Sequence, residues 1–223
     1  MKKDNISRRT FLRAGIAVGT GLYGLSYLSS FERPRPLKTF KENHLKKVMV
    51  VVHGDVDERN DENSVIKEMV NRGIKAIGGM DKLVSRGDNV VIKPNIAWDR
   101  KPEYAVNTNP FVVAALVGMC LEAGANRVKV FDHTCASNPD TSYTNSGIEK
   151  AAKEAGAVVR FVDKGLFKNI KIPDGKVLDS WTFYEELIYQ DETDVLINVP
   201  IAKQHSASRL SMALKNTLGM VGG

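Results

Sequence analysis

The chain has 223 residues, 43% hydrophobic and 26% charged, which suits one globular domain or at most two and excludes disordered, collagen-like and disulfide-scaffold proteins. The formal net charge is +6, but residues 1–47 hold 11 of the 32 basic residues and 3 of the 26 acidic ones, so the rest of the chain carries −2. Because nucleic-acid binding needs a basic surface on the folded domain, no nucleic-acid partner is predicted.

The N-terminal segment has the pattern of an export signal. Residues 7–12, Ser-Arg-Arg-Thr-Phe-Leu, precede an uncharged, glycine-containing and weakly hydrophobic stretch. This order resembles a twin-arginine (Tat) signal, whose export machinery transports folded proteins. The alternative is an accidental arginine pair before an ordinary membrane anchor. Residues 1–31 are therefore predicted to be a Tat-type signal or membrane anchor, which is the only part that contacts the membrane.

The export signal predicts a location in the periplasm or on the outer face of the cytoplasmic membrane. Residues 32–46 contain two prolines and several basic residues, a composition typical of a linker. Residues 47–223 are predicted to form an α/β domain. Because the sequence stops in a glycine-rich turn directly after a predicted helix, we expect this domain to be truncated at its C-terminus.

The first elements of this domain alternate between strand and helix. Residues 48–52 form a short β-branched run, which predicts a buried strand. Apolar residues then recur at helical spacing over 64–77, and Gly78 is expected to end that helix. A second strand is predicted at 89–92.

The next helix has clear start signals. Asn109 can cap it with its side chain, and Pro110 suits its first position. This helix is expected to end at Gly124. A third strand at 127–131 and a further helix at 147–155 continue the alternation.

The second half of the domain adds an antiparallel feature. Asp174-Gly175 suits a hairpin turn within 170–177. The remaining predicted elements are strands at 157–162, 181–189 and 195–199 and a helix at 208–218. Strands separated by helices pair in parallel. The predicted fold is therefore an α/β three-layer sandwich with a mostly parallel central sheet and a small antiparallel excursion.

The candidate site lies where these strands end, because open α/β sheets bind ligands beyond the carboxyl ends of their strands. Lys93 and Lys203 would face one crevice, and a helix start near Ser208 would favour negative charge as well. An anionic small molecule with a carboxylate or phosphate group would fit there. Because an unperturbed histidine side chain changes its charge near neutral pH, His205 is a candidate acid or base. The predicted catalytic residues are thus His205, Lys203 and Lys93.

A metal site is the second possibility at these strand ends. His53, Asp132 and His133 are candidate ligands for a transition metal, since a histidine beside a carboxylate is a common ligand arrangement. The alternative is that the histidines are hydrogen-bonded structural groups. Cys120 and Cys135 match no iron–sulfur or zinc spacing, and Cys135 is interpreted as a small loop residue in preference to a nucleophile.

Four separated motifs resemble the domain of unknown function 362 family. They are Val-Val-Ile-Lys-Pro-Asn at 90–95, Thr-Asn-Pro at 108–110, Asn-Val-Pro-Ile-Ala-Lys-Gln-His at 198–205 and Ala-Leu-Lys-Asn-Thr-Leu-Gly at 213–219. Gln204 stands where a threonine is common. The resemblance implies an α/β fold. The resemblance marks the motif residues as important but assigns them no role. Together with the strand-end residues, they supply the ligand-binding candidates Asn95, Asn198, Lys215 and Asn216.

Two functional hypotheses remain open. The first is an exported enzyme, with or without a metal or cofactor, whose crevice holds an anionic small molecule on preorganised charge. The second is a non-catalytic periplasmic protein that binds a ligand or assists redox partners. Some relatives in the resembling family carry an appended iron–sulfur module, but this chain lacks the necessary cysteine cluster.

Overall fold

The computed structural model describes residues 49–54, 61–136, 138–172, 174–184 and 193–222. The predicted leader at 1–31 and linker at 32–46 lie outside these residues. The strands, in chain order, are β1 (Asn89–Pro94), β2 (Arg127–Val130), β3 (Val158–Val159), β4 (Phe167–Lys171), β5 (Ser180–Tyr184), β6 (Val195–Val199), β7 (Lys203–His205) and β8 (Arg209–Ser211). The helices are α1 (Glu62–Ile77), α2 (Pro110–Glu122), α3 (Pro139–Asn145), α4 (Ile148–Glu154) and α5 (Ala213–Asn216).

The two long helices begin where their capping residues stand. The Asp61 carboxylate accepts the backbone N–H of Ser64 at 3.0 Å and caps α1. Asn109 Oδ1 accepts the N–H of Phe111 at 2.9 Å and caps α2 in the same way. Gly78 ends α1 at φ 125°, a left-handed conformation that glycine adopts without strain. Both predicted helices are therefore confirmed.

The central sheet has four strands, all parallel, in the order β3-β2-β1-β6. From β1 the chain moves outward to β2 and β3, and it later returns to the other side of β1 as β6. The gap beyond the carboxyl ends of β1 and β6 is therefore a topological switch point, where open α/β sheets bind ligands. In register, Lys93 of β1 lies opposite Asn198 of β6.

The helices cover one face of this sheet. Val90, Ile92 and Val128 point to that face and pack with Val113 and Val117 of α2 in the main hydrophobic core. All five side chains are essentially inaccessible to water. Burial of this apolar surface is the main force that holds the helical layer on the sheet.

The antiparallel hairpin β4–β5 lies on the other face. Val91 of β1 and Phe131 pack there against Tyr184 of β5, and the Phe131 and Tyr184 rings stack with centroids 5.1 Å apart. Asp174 has φ 56° in the turn between β4 and β5. Helices, parallel sheet and hairpin make three layers, so the predicted α/β fold and its antiparallel excursion are confirmed. The predicted strand residues 185–189 lie outside the described residues.

The predicted strand at 48–52 is wrong over its described part, residues 49–52, which has no strand structure. Met49 and Val51 are about four-fifths exposed, at 80% and 79%. The following Gly54 lies so close to Met69 of α1 that an added Cβ would be only 2.5 Å from its sulfur. The segment therefore packs on α1, and β1 finds its partners in β2 and β6 instead.

The predicted helix at 208–218 is wrong over residues 208–212 and is confirmed over Ala213–Asn216. Residues 203–211 form the β7–β8 hairpin, and helix begins only at Ala213, for a single turn, before a 3-10 turn at Thr217–Met220. His205 Nδ1 accepts the N–H groups of Ala207 and Ser208, and these bonds fold the chain back on itself. No helix N-terminus therefore exists at Ser208 to favour an anion.

Two smaller differences concern the sheet edge and the helices. The strand predicted at 157–162 is only two residues long, because its partner β2 ends at Val130. Helix α3 was not predicted, although Asn138 caps it and Pro139 opens it as Asn109 and Pro110 do for α2.

Among the described residues, no helix has the length and apolar character needed to cross a bilayer.

Candidate functional site

A small open cavity lies beyond the carboxyl ends of β1 and β6, with a volume of about 80 Å³. Its walls come from the segment after β1, from the β7–β8 hairpin and from α5. Its twelve described lining residues include Lys203, Lys215 and His205 but no aspartate or glutamate. The cavity is therefore a cationic pocket at the switch point of the sheet.

Lys203 is held at the wall of this cavity by two acceptors. Its ammonium donates to Asn95 Oδ1 at 2.7 Å and to the Val106 carbonyl at 2.6 Å. An ammonium has three hydrogens, so one remains for a ligand. Partial burial lowers the pKa of Lys203 and is the largest cause; repulsion from Lys215 adds to this shift, whereas attraction to Cys135 and to Asp132 opposes it. The two lysines are thus close enough to repel each other electrostatically.

Three asparagines connect the strand ends with α5. Asn95 Nδ2 donates to Asn216 Oδ1 at 3.2 Å. Asn216 Nδ2 donates to Asn198 Oδ1 at 2.7 Å and to the Lys93 carbonyl at 3.2 Å. Asn198 Nδ2 donates to the Ala213 carbonyl at 2.9 Å. Asn95 and Asn216 line the cavity, whereas the described contacts of Asn198 fasten α5 to β6.

Lys93 lies below the cavity and is 1% exposed. Its ammonium donates to Asp132 Oδ1 at 2.6 Å and to the Pro94 carbonyl at 3.1 Å. Asp132 Oδ2 accepts the Ile96 N–H at 2.7 Å, so both carboxylate oxygens are occupied. Burial lowers the pKa of Lys93 and raises the pKa of Asp132, and their mutual attraction opposes both shifts. Lys93 therefore does not line the cavity. It supports the cavity indirectly, because its hydrogen bonds fix the turn that follows β1.

Gly219 covers this ion pair from the C-terminal turn. Its carbonyl accepts the His133 N–H at 3.3 Å. A Cβ at this position would overlap the Asp132 carboxylate and would lie 2.7 Å from Lys93 Nζ. Only glycine therefore allows the turn after α5 to close over Lys93 and Asp132, and this contact fixes the position of Lys215 and Asn216.

His205 and Ser211 come from the two strands of the β7–β8 hairpin and both line the cavity. His205 Nδ1 accepts two backbone N–H groups, so the proton of the neutral ring is on Nε2. Ser211 lies opposite Lys203 in the hairpin register and is 6% exposed. Its hydroxyl has no hydrogen-bond partner among the described residues. A buried polar group without a partner is rare in folded proteins.

The candidate metal ligands are not gathered into one group. The His133 ring packs against Phe167 of the hairpin layer, with ring centroids 5.4 Å apart. Asp132 is engaged by Lys93 and by the Ile96 N–H. His53 lies in the segment that packs on α1. Within the described part of the chain, no three His, Cys, Asp or Glu side chains are placed to share a metal ion.

The structure thus brings Lys203, His205, Lys215, Asn95 and Asn216 to one cavity and places the other candidates behind it or away from it. Sequence reasoning missed some of the lining residues. Trp98 stands three positions after Asn95, beyond the motif, and Ser211 falls within the wrongly predicted helix. Cys135, interpreted as a loop residue, is exposed and lines the cavity.

The topology and the position of the cavity define an α/β protein with an open cavity at the switch point of a parallel sheet. The chain belongs to the family described as Domain of unknown function (DUF362), which matches residues 90–223, more than half of its length. This match covers β1, the cavity and the turn at Gly219.

The chain is also similar to the thylakoid-associated protein sll1697 of Synechocystis sp., with 25% identity over 156 residues. The aligned region is 67% of this chain and 44% of the relative, so the chain spans less than half of that protein's length. No solved structure matches the chain.

Proposed function

We propose that this protein binds a small oxyanion, a carboxylate or phosphate group, in the cavity between Lys203 and Lys215. One observation carries the proposal: two lysines and a histidine line a cavity that has no acidic residue among its described walls. Two like charges in one partly desolvated pocket repel each other; burial is the main cause of the lowered pKa of Lys203, and repulsion from Lys215 adds to it. A bound anion removes that repulsion and gains two charge-assisted hydrogen bonds.

The unpartnered hydroxyl of Ser211 supports the same proposal independently. It is buried next to Lys203 across the hairpin and has no acceptor or donor among the described residues. A small shift of the β7–β8 hairpin on binding would bring an anion oxygen within its reach. That oxygen would satisfy a group that otherwise costs about 1–3 kcal/mol.

Lys93 and Asn198 act as positioning residues in this proposal, because their described contacts are to protein groups. Lys203 and His205 remain the candidates for any chemistry on the bound ligand, since both line the cavity. The protein is then either an enzyme or a binding protein for such an anion.

Lys215 gives the cleanest test, because its side chain has no hydrogen bond or ion pair among the described residues. Lys215→Met is expected to raise the Kd for inorganic phosphate by roughly 10- to 150-fold, since a hydrogen bond to a charged group contributes about 1.5–3 kcal/mol. Isothermal titration calorimetry on the full-length protein measures this change. The melting temperature should stay nearly the same, since no described contact is lost.

Lys75→Met is the matched control for Lys215→Met. Lys75 is exposed in the last turn of α1, outside the cavity, and its loss changes the net charge by the same amount. Phosphate affinity of this variant should equal that of the unmodified protein. Equal weakening by both substitutions would mean that phosphate senses only overall charge, and an unmodified protein that binds no phosphate would contradict the proposal outright.

We further propose that Arg8 and Arg9 direct export through the Tat machinery, so that the anion is bound in the periplasm or at the outer face of the membrane. In a Tat-competent bacterium, the full-length chain should appear in the exported fraction. Arg8→Lys combined with Arg9→Lys keeps the charge but removes the arginine pair, and should leave nearly all of the protein in the cytoplasm.

Arg13→Lys is the control for the arginine pair, since it makes the same substitution outside the pair. It should be exported as the unmodified chain is. Immunoblots of cell fractions measure the distribution. Continued export of the double-lysine variant, or export from cells without the Tat machinery, would contradict this part of the proposal.

A further inference from the structure

A half-exposed tryptophan stands at the mouth of the cationic cavity. Trp98 is 55% exposed and lines the cavity, and Met212, at 51%, stands there as well. Large apolar side chains at a polar pocket leave much apolar surface in water, which often marks a place where a ligand binds. The cavity therefore combines positive charge with an exposed aromatic surface.

The backbone that presents Trp98 is firmly held. Asn107 is 6% exposed and binds this segment from inside, with Oδ1 accepting the N–H groups of Ala97 and Trp98 at 3.0 and 3.1 Å. Its Nδ2 donates to the carbonyls of Trp98 and Arg100 at 2.8 and 3.3 Å. One buried amide thus makes four hydrogen bonds, its full capacity. The structure fixes the tryptophan backbone and leaves its ring open to solvent.

The same segment is tied to the strands that form the site. Thr108 Oγ1, next to Asn107, accepts the Asn95 N–H at 2.8 Å and donates to the Val199 carbonyl at 2.7 Å. Asn95 in turn accepts the hydrogen bond from Lys203. The Trp98 backbone and the Lys203 ammonium are therefore held by connected hydrogen bonds from the ends of β1 and β6, so the distance between these two groups is set by the fold.

The size of the cavity determines which part of a ligand lies beside the lysines and which part lies beside Trp98. A volume of about 80 Å³ accommodates a phosphate or carboxylate group and little more. Any larger ligand must extend through the mouth, where Trp98 and Met212 are exposed. A flat ring attached to the anion would lie against the indole there.

We propose that the natural ligand is an oxyanion that carries a flat aromatic ring, with its charged group on Lys203 and Lys215 and its ring against Trp98. This inference rests on the anion-binding function proposed above and adds the class of ligand. Stacking between aromatic rings contributes about 0.5–1.5 kcal/mol beyond burial of their surface. An aryl phosphate should therefore bind roughly three- to tenfold more tightly than inorganic phosphate.

Calorimetric titration of the full-length protein with phenyl phosphate and with inorganic phosphate tests this. Both are measured at a mildly alkaline pH, where both are dianions. In Trp98→Ala, the preference for phenyl phosphate over inorganic phosphate should disappear, so that the two Kd values become equal. Trp98→Phe should retain part of the preference, because it keeps an aromatic ring on the same backbone.

Tyr104→Ala is the matched control, since Tyr104 is 65% exposed but does not line the cavity. It should keep the full preference. Equal affinity of the unmodified protein for the two ligands, or a preference that survives in Trp98→Ala, would overturn the aromatic-ligand inference alone. Failure to bind either compound would overturn the proposed anion-binding function, and this inference with it.

Discussion

Replacing Lys93 with methionine is expected to lower the free energy of unfolding by about 3–5 kcal/mol, the range observed when one partner of a buried ion pair is removed. Methionine has nearly the length of lysine, so packing changes little. The cost arises because Asp132, 3% exposed, loses the ammonium that lies 2.6 Å from its Oδ1. Urea denaturation followed by circular dichroism measures the loss.

A double-mutant cycle separates the ion pair from other contributions of these side chains. Asp132→Asn alone should be similarly destabilising, because it leaves Lys93 charged and unpaired in the core. The combined variant should lose at least about 1 kcal/mol less than the sum of the single variants, as interacting neighbours do. Strictly additive losses would show that the pair contributes nothing through its mutual attraction.

Gly219→Ala should destabilise the protein by about 1–3 kcal/mol, as overpacking in a dense interior does. The added methyl group would overlap the Asp132 carboxylate and approach Lys93 Nζ to 2.7 Å. Because Gly219 closes the turn that carries Lys215 and Asn216, the substitution should also weaken phosphate binding. Thermal denaturation measures the first effect, and calorimetry below the melting transition measures the second.

Gly118→Ala is the control for this substitution. Gly118 lies in α2, and an added Cβ there would meet no atom within 4 Å. Alanine in place of glycine in a helix is expected to be neutral or to stabilise by up to about 1 kcal/mol. If Gly219→Ala proved as harmless as Gly118→Ala, the close contact between the C-terminal turn and the ion pair would not exist.

The sequence predicts the elements of the fold that depend on short-range signals along the chain. Helices α1 and α2 have caps, helical spacing and a glycine at or near their ends, and all of these act within a few residues. Strands β1 and β6 are rich in β-branched residues, β2 alternates valine with basic residues, and β1 and β2 are almost entirely buried whereas the three central residues of β6 are half-buried. The three strands make up most of the parallel sheet, and α2 packs on one of its faces.

The wrong predictions arise where tertiary contacts override local pattern. Residues 49–52 are as β-branched as β1, but the sheet positions beside β1 are taken by β2 and β6. The helix predicted at 208–218 begins only at Ala213, because His205 Nδ1 holds the N–H groups of Ala207 and Ser208 in a turn, a contact that apolar spacing does not encode. Helix α3 carried an Asn-Pro start signal and was predictable.

The candidate site depended on strand order, which the sequence did not supply. Lys93 and Lys203 are 110 positions apart, and only the pairing of β1 with β6 brings their surroundings together. Sequence reasoning placed both in one crevice but did not show that Lys93 would be buried beneath it with Asp132. Trp98 and Ser211 were missed because exposure and an unpaired hydroxyl are properties of the folded chain.

The motifs that carried the family resemblance prove to be parts of one hydrogen-bonded structure. Asn95 from the first motif, Asn198 and Lys203 from the third and Asn216 from the fourth are joined by direct side-chain hydrogen bonds. Thr108 of the second motif binds the backbone N–H of Asn95. Residues from four distant segments of the chain therefore hold the wall of one small cavity in place.

The claim that an oxyanion binds between Lys203 and Lys215 is tested most directly by anomalous diffraction from crystals of the protein soaked in tungstate, a tetrahedral oxyanion. The anomalous signal of tungsten locates the anion without assumptions about affinity. We expect a peak in the cavity, with tungstate oxygens within hydrogen-bond distance of Lys203 Nζ, Lys215 Nζ and Ser211 Oγ. An empty cavity in crystals that bind tungstate elsewhere would contradict the account.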